Sequence, residues 1–178
     1  MPDFSRRQFL KLGLCVAAAG ALPRVAFAET PARVLSFYNL HTSESLRIAY
    51  HEFGAYVPSA MDALNHFLRD YRTGDAHPID QALFDQLYAL QHQMETTAPF
   101  HVISGYRAPQ TNQMLHANSD GVARRSLHMD GRAIDIRLPG RDLANLHKAA
   151  LAMQAGGVGY YPSSDFIHLD TGRVRQWG

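Results

Sequence analysis

The polar and apolar positions divide the chain into short alternating stretches and longer helical stripes. Arg33 to Tyr38 and Ser45 to His51 read as two strands, the second setting Leu46, Ile48 and Tyr50 against Arg47, Ala49 and His51. The polar segment Asn39 to Glu44 between them suits a hairpin loop. Pro58-Ser59 opens a helix whose Met61, Leu64, Phe67, Leu68 and Tyr71 recur three or four apart, and Thr73-Gly74-Asp75 ends it. Asp80 can cap a second helix with Leu83, Leu87, Leu90 and Met94 as its buried stripe; the short connection predicts antiparallel packing of the two.

Phe100 to Ser104 is a short apolar strand running into Gly105-Tyr106-Arg107-Ala108-Pro109, and Pro109 suits the first turn of a helix from Gln110 to about Asn118. Ser119 to Arg125 is polar and reads as a loop. Arg132 to Leu138 alternates: Ile134, Ile136 and Leu138 face a core, which puts Asp135 on the opposite, open face. Arg141 to Gln154 predicts a helix with Leu143, Leu146, Ala150 and Met153 inward and Gly156 as its stop. Gly157 to Tyr161, a turn at Pro162-Ser163-Ser164, and Asp165 to Asp170 complete the pattern. In the last stretch His168 and Asp170 share the less apolar side. This order predicts an α+β fold, a small and mainly antiparallel sheet with helices packed on one face.

The first residues follow a different logic. Ser5-Arg6-Arg7-Gln8-Phe9-Leu10-Lys11, an apolar run from Leu12 to Leu22, and Ala26-Phe27-Ala28 form a twin-arginine export signal with cleavage expected after Ala28. The run is too short for a membrane-spanning helix, which needs roughly 20 residues. The expected organisation is therefore a signal peptide at 1–28 and a single domain at 29–178, delivered to the periplasm by the twin-arginine machinery.

Loss of that signal changes the charge. The whole chain has 17 basic and 16 acidic residues and a formal charge of +1. Arg6, Arg7, Lys11, Arg24 and Asp3 leave with the signal, so the remainder stands at −2. No basic footprint for nucleic acid remains. The one cysteine, Cys15, also lies in the signal, so any metal in the domain must be held by histidine and carboxylate.

The stretch Ser126 to Asp135, S-L-H-M-D-G-R-A-I-D, brings His128 and Asp135 together across Gly131. Spacing alone is weak, because ten histidines and eleven aspartates in the expected domain give about 0.7 such pairs at any chosen separation. Context strengthens it: Gly131 permits a bend, Asp135 leaves the outward side of a strand, and His168 lies on a similar side of another. Two imidazoles and one carboxylate leave a fourth tetrahedral position for water, the pattern of catalytic zinc. Asp170 and Asp165 are alternative bases for the water proton, with an orienting role for Asp170 and a turn role for Asp165 as their plainer readings. Arg107, at a strand-to-helix junction, can bind an oxyanion or a substrate carboxylate. His66, His77 and His92 have no companions at ligand spacing and read as surface residues.

Taken together, S-G-Y-R at Ser104 to Arg107, the His128 stretch, and G-G-V-G-Y-Y-P with F-I-H-L-D-T-G from Gly156 to Gly172 resemble the D-Ala-D-Ala metallopeptidase and lysostaphin-type superfamily, and within it the exported MepK-like murein endopeptidases. The resemblance covers nearly the whole chain. It implies zinc on His128, Asp135 and His168, Arg107 near the substrate, the small antiparallel sheet with helices of the hedgehog and DD-peptidase group, and cleavage of peptidoglycan peptide cross-links. Its dipeptidase branch carries the base three residues before the last ligand, where Asp165 stands here, but its E-x-W-H form is absent. The recurring H-x-D-T-G of the MepK-like branch favours Asp170. Two further readings compete: a non-catalytic peptidoglycan-binding protein on the same fold, and a periplasmic metal carrier, for which His41, His51 and His101 are too scattered.

Overall fold

The computed structural model describes residues 31–118 and 123–178; the export segment and most of the Ser119 to Arg125 loop lie outside the described residues. Two strands open the fold, β1 (Arg33–Asn39) and β2 (Ser45–Glu52), joined by the expected hairpin loop. Asn39 organises that loop, its Oδ1 accepting from the backbone N–H groups of His41 and Thr42. A two-residue strand, β3 (Ala55–Tyr56), follows and pairs with β2.

Helix α1 (Pro58–Phe67) begins at the predicted proline and buries Ala60, Met61, Leu64 and Phe67. It ends before Tyr71, so that residue leaves the apolar stripe and instead stacks on His41 with ring centroids 3.9 Å apart. Helix α2 (Gln81–Gln93) starts at Asp80, whose side chain accepts from Ala82 N–H and satisfies one of the open donors of the first turn. Its Leu83, Phe84, Leu87 and Leu90 are fully buried.

Beyond it come β4 (Phe100–Ser104), α3 (Pro109–Asn118), a short 3-10 turn (Leu127–Asp130), β5 (Ala133–Arg137) and α4 (Leu143–Ala152). The described chain closes with β6 (Gly157–Tyr161), a second 3-10 turn (Pro162–Ser164), β7 (Phe166–Asp170) and β8 (Arg175–Trp177).

The strands form one sheet in the order β3-β2-β1-β4-β5-β7-β6-β8. Five of its neighbouring pairs are antiparallel; β1 with β4 and β6 with β8 are parallel. The mainly antiparallel α+β reading is thus correct. Helix α1 packs on β2, α2 on β1, and α4 on β6 and β7, while α2 and α4 touch each other. Their apolar stripes and the inward side chains of the sheet, among them Leu35, Phe37, Phe100, Val102, Ile134, Ile136, Ile167 and Leu169, make one core. Fully burying such a side chain is worth about 1.5–3 kcal/mol, so this layer fixes the register of the strands whose other side carries chemistry.

Candidate metal centre

The register of the sheet sets one rung of residues across five strands. Ser104 of β4 lies opposite Asp135 of β5, Asp135 opposite His168 of β7, His168 opposite Gly159 of β6, and Gly159 opposite Trp177 of β8. Because alternate residues of a strand point to the same side, the apolar Ile134, Ile136, Ile167 and Leu169 turn to the core and Asp135 and His168 turn away from it. Asp135 is nevertheless buried rather than open, since β7, Arg107 and the first 3-10 turn cover it.

His128 comes from that turn. Ser126 begins it by accepting from His128 N–H, and Gly131 ends it in the left-handed region at φ 64°. A Cβ on Gly131 would run into the carbonyl oxygen of Pro78, so glycine is required both for the conformation and for the space. The turn is clasped to the loop after β4: His128 Nδ1–H donates to Gly105 O over 2.7 Å, and Arg107 N–H donates to His128 O over 3.1 Å.

Three atoms then converge. His128 Nε2 is 3.2 Å from Asp135 Oδ1 and 3.2 Å from His168 Nδ1, and the last two are 2.9 Å apart. A tetrahedral ion with bonds of 2.0–2.1 Å separates its ligand atoms by about 3.3 Å, so the triangle has the size of such a site. The chemistry of the donors agrees. Gly105 O can only accept, which places the His128 proton on Nδ1 and leaves the Nε2 lone pair facing inward. Asp170 Oδ2 accepts from His168 Nε2–H over 3.1 Å, which likewise turns the Nδ1 lone pair inward. Two imidazole lone pairs and a carboxylate oxygen meeting at one point are a fit for a cation with a preference for nitrogen and oxygen. Among the described residues this is the one group of histidines and carboxylates so arranged.

The electrostatics are those of a buried charged cluster. Burial would raise the Asp135 carboxyl, but His128 and His168 outweigh it and hold the group well below the usual carboxylate range. Burial lowers His128. It would lower His168 too, yet the hydrogen bonds with Asp135 and Asp170 prevail and raise that imidazole to about 8, so a cation at the three donors would displace the proton from Nδ1 and leave the one on Nε2.

Asp170 is wholly enclosed and its two oxygens accept from five donors. Oδ1 takes Gly157 N–H at 2.9 Å, Gly172 N–H at 2.8 Å and Arg175 Nη1 at 3.0 Å, and Oδ2 takes Arg175 Nη2 at 2.7 Å besides His168. These bonds overcome the burial that would raise the group and keep it ionised far below its ordinary value. Arg107 reaches the cluster from the other side: its Nη2 is 3.5 Å from Asp135 Oδ2 and 3.3 Å from Ser104 Oγ, while its buried Nε has no partner.

Asp165 is not brought to this group. It lies on the preceding turn, exposed, with its carboxylate 3.0 Å from Arg137 Nη1, and it lines a separate shallow depression with His101. His66, His77 and His92 are also elsewhere, His77 stacked on Tyr106 and His92 against Tyr88.

The donors sit at the floor of an open cleft of about 490 Å³. Arg107, Arg125, Tyr161, Phe166, Arg175 and Trp177 are among its walls. Arg175, Tyr161 and Trp177 escaped the sequence reading. The hydropathy pattern stops being informative after Asp170, and the parallel pairing of β8 with β6 is what brings Arg175 and Trp177 to the site; Tyr161 was read only as the end of a strand.

Comparison with known proteins covers nearly the whole chain. The family model described as peptidoglycan L,D-endopeptidase MepK matches residues 27–177, and the model for the twin-arginine translocation pathway signal sequence matches residues 3–23. The chain is 48% identical over 178 residues to the peptidoglycan L,D-endopeptidase MepK of Escherichia coli strain K12, with 98% of each chain covered. The same figures hold for the protein of that name from Shigella flexneri. A probable peptidoglycan L,D-endopeptidase MepK from Haemophilus influenzae is 38% identical over 179 residues, covering 98% of this chain and 96% of the other. The signal match indicates export by the twin-arginine route to the periplasm, and no helix among the described residues is long and apolar enough to cross a membrane.

Proposed function

The chain belongs to the MepK family of peptidoglycan L,D-endopeptidases, and from that premise we propose that it is a zinc-dependent murein endopeptidase hydrolysing peptide cross-links in the periplasm. The observation that carries the reading is the convergence of His128 Nε2, Asp135 Oδ1 and His168 Nδ1 within about 3 Å of one another at the floor of an open cleft. Zinc at these donors would supply a water of lowered pKa and polarise the scissile carbonyl.

The residues around the donors have separable tasks. Gly105 O holds the His128 tautomer, and Asp170 holds that of His168. Asp170 acts through His168 rather than as the base, because both of its oxygens are already filled and no solvent reaches it. Asp165 takes no part, since Arg137 engages it outside the cleft. Arg107, which lines the cleft beside Asp135, offers a charged donor to the substrate oxygen that gains negative charge.

The family and the walls of the cleft support an L,D cross-link as the substrate. An L,D cross-link joins the acyl group of an L centre to the amine of a D centre. The 3-3 link between two diaminopimelate residues is of this kind, whereas the 4-3 link joins two D centres. Each such stem peptide carries free carboxylates, and Arg107, Arg125 and Arg175 give the cleft matching charge. We assign residues 1–28 to a removable signal and 29–178 to a single catalytic domain; the signal match ends at residue 23 and the family match begins at residue 27.

The test is digestion of sacculi by the mature protein with muropeptides read by mass spectrometry. The reading expects solubilised stem peptides with zinc, none with a chelator, and recovery on zinc addition. Sacculi that bind the protein yet keep every cross-link would instead identify a non-catalytic wall-binding protein.

A further inference from the structure

The cleft contains a phenol hydroxyl whose orientation is set by a neighbour. Trp177 Nε1–H donates to Tyr161 Oη over 2.9 Å. An indole nitrogen can only donate, so the phenol oxygen accepts in this bond and its own proton is left for a different partner. Both residues line the cleft together with His128, Asp135 and His168.

The surroundings are shaped to keep this pair in place. Tyr161 ends β6 and Trp177 lies on β8, with Trp177 in register with Gly159. A Cβ on Gly159 would come within 2.7 Å of the indole, so the ring occupies the space that a side chain there would need. The indole meets the His168 ring at 5.1 Å, and the Arg175 guanidinium lies 4.8 Å from its centre. Tyr161 is itself stacked on Phe166 at 4.6 Å and 18°. One aromatic contact and one hydrogen bond to a tryptophan that is itself held by Gly159 and His168 thus restrict the phenol. Tyr161 and Arg107 line the same cleft, so the hydroxyl and the guanidinium face one working space.

We propose that Tyr161 is a catalytic residue whose hydroxyl donates a hydrogen bond to the scissile carbonyl oxygen as that oxygen gains negative charge, with Trp177 as the positioning residue that leaves its proton free to do so. The phenol O–H bond stays intact and no proton is transferred. This rests on the hydrolase reading above. A donor aimed at developing charge in a cleft is worth about 10²- to 10³-fold in kcat when it is removed.

The experiment compares wild type, Tyr161→Phe and Trp177→Phe as zinc-loaded mature proteins on a purified 3-3 cross-linked muropeptide dimer. Tyr161→Phe keeps the ring on Phe166 and is expected to lose about 10²- to 10³-fold in kcat with KM changed less than about threefold. Trp177→Phe is expected to lose kcat to a smaller extent, again without a matching rise in KM. A second readout is calorimetric binding of a phosphinate analogue of the cross-link. It should weaken in Tyr161→Phe while zinc content, thermal midpoint and binding of the tripeptide product stay at wild-type values. Turnover by Tyr161→Phe within twofold of wild type, or a loss confined to KM, overturns this proposal alone. A wild type that cleaves nothing overturns it together with the hydrolase reading.

Discussion

Asp170 illustrates how much a single residue's environment decides about its role. A general base must have a free lone pair within reach of the proton it takes, and Asp170 offers none: five donors fill its oxygens, and Arg175 holds both of them. In the proposed site its task is to keep the proton of His168 on Nε2. Replacing it by Asn, which can present an NH₂ group to that nitrogen, should weaken zinc binding by about 10- to 100-fold, measured by competition with a chromogenic chelator. Asp165→Ala should keep turnover within twofold of wild type, because its carboxylate serves only Arg137 outside the cleft; a large loss of kcat would return the base role to it. His128, Asp135 and His168 were legible in the chain because strand alternation and Gly131 put them on one side. The filling of Asp170 was not, since Gly157, Gly172 and Arg175 reach it only through the fold.

At the scale of elements, the first sheet edge is tied to α2 through one half-buried carboxylate. Asp85 of α2 accepts from Tyr50 of β2 at 2.8 Å, Tyr56 of β3 at 2.7 Å and Arg33 of β1 at 2.8 Å. Burial would raise this carboxyl, but the two phenols and Arg33 prevail and hold it below its ordinary value. A group depressed in the folded protein contributes stability that is present above its unfolded pKa, about 3.9, and lost as pH falls through the folded value. Asp85→Asn should therefore lower the thermal midpoint at neutral pH and flatten its decline between about pH 5 and pH 3. Part of the slope should remain, because Asp135 and Asp170 are depressed as well. Parallel curves for the two proteins would contradict the assignment.

The longer strands and the three helices packed on the sheet could be read from periodicity, and α3 from Pro109 at its first turn. The two-residue β3 and the three-residue β8 could not, because each is shorter than the period needed to register an alternation, and both exist through pairing with β2 and β6.

The whole molecule combines an export address with a buried charged cluster. Twin-arginine transport carries folded protein, which suits a site whose donors come from three separate segments and meet only after folding. Changing Arg6-Arg7 to Lys-Lys should retain the protein in the cytoplasm, as read by cell fractionation; undiminished periplasmic protein would argue for another route. The fold was legible at this scale because its order of elements leaves few ways to cover one sheet side with three helices. The bond that is cut was not, since the sequence pattern specifies the donors but not the substrate between them.

The most direct measurement is mass spectrometry of a defined 3-3 cross-linked dimer after incubation with mature wild type and with His128→Ala. The account predicts two monomeric stem peptides from zinc-loaded wild type, intact dimer from His128→Ala and from chelated wild type, and an untouched 4-3 dimer. An intact 3-3 dimer with zinc-loaded wild type, or equal cleavage by His128→Ala, would contradict it.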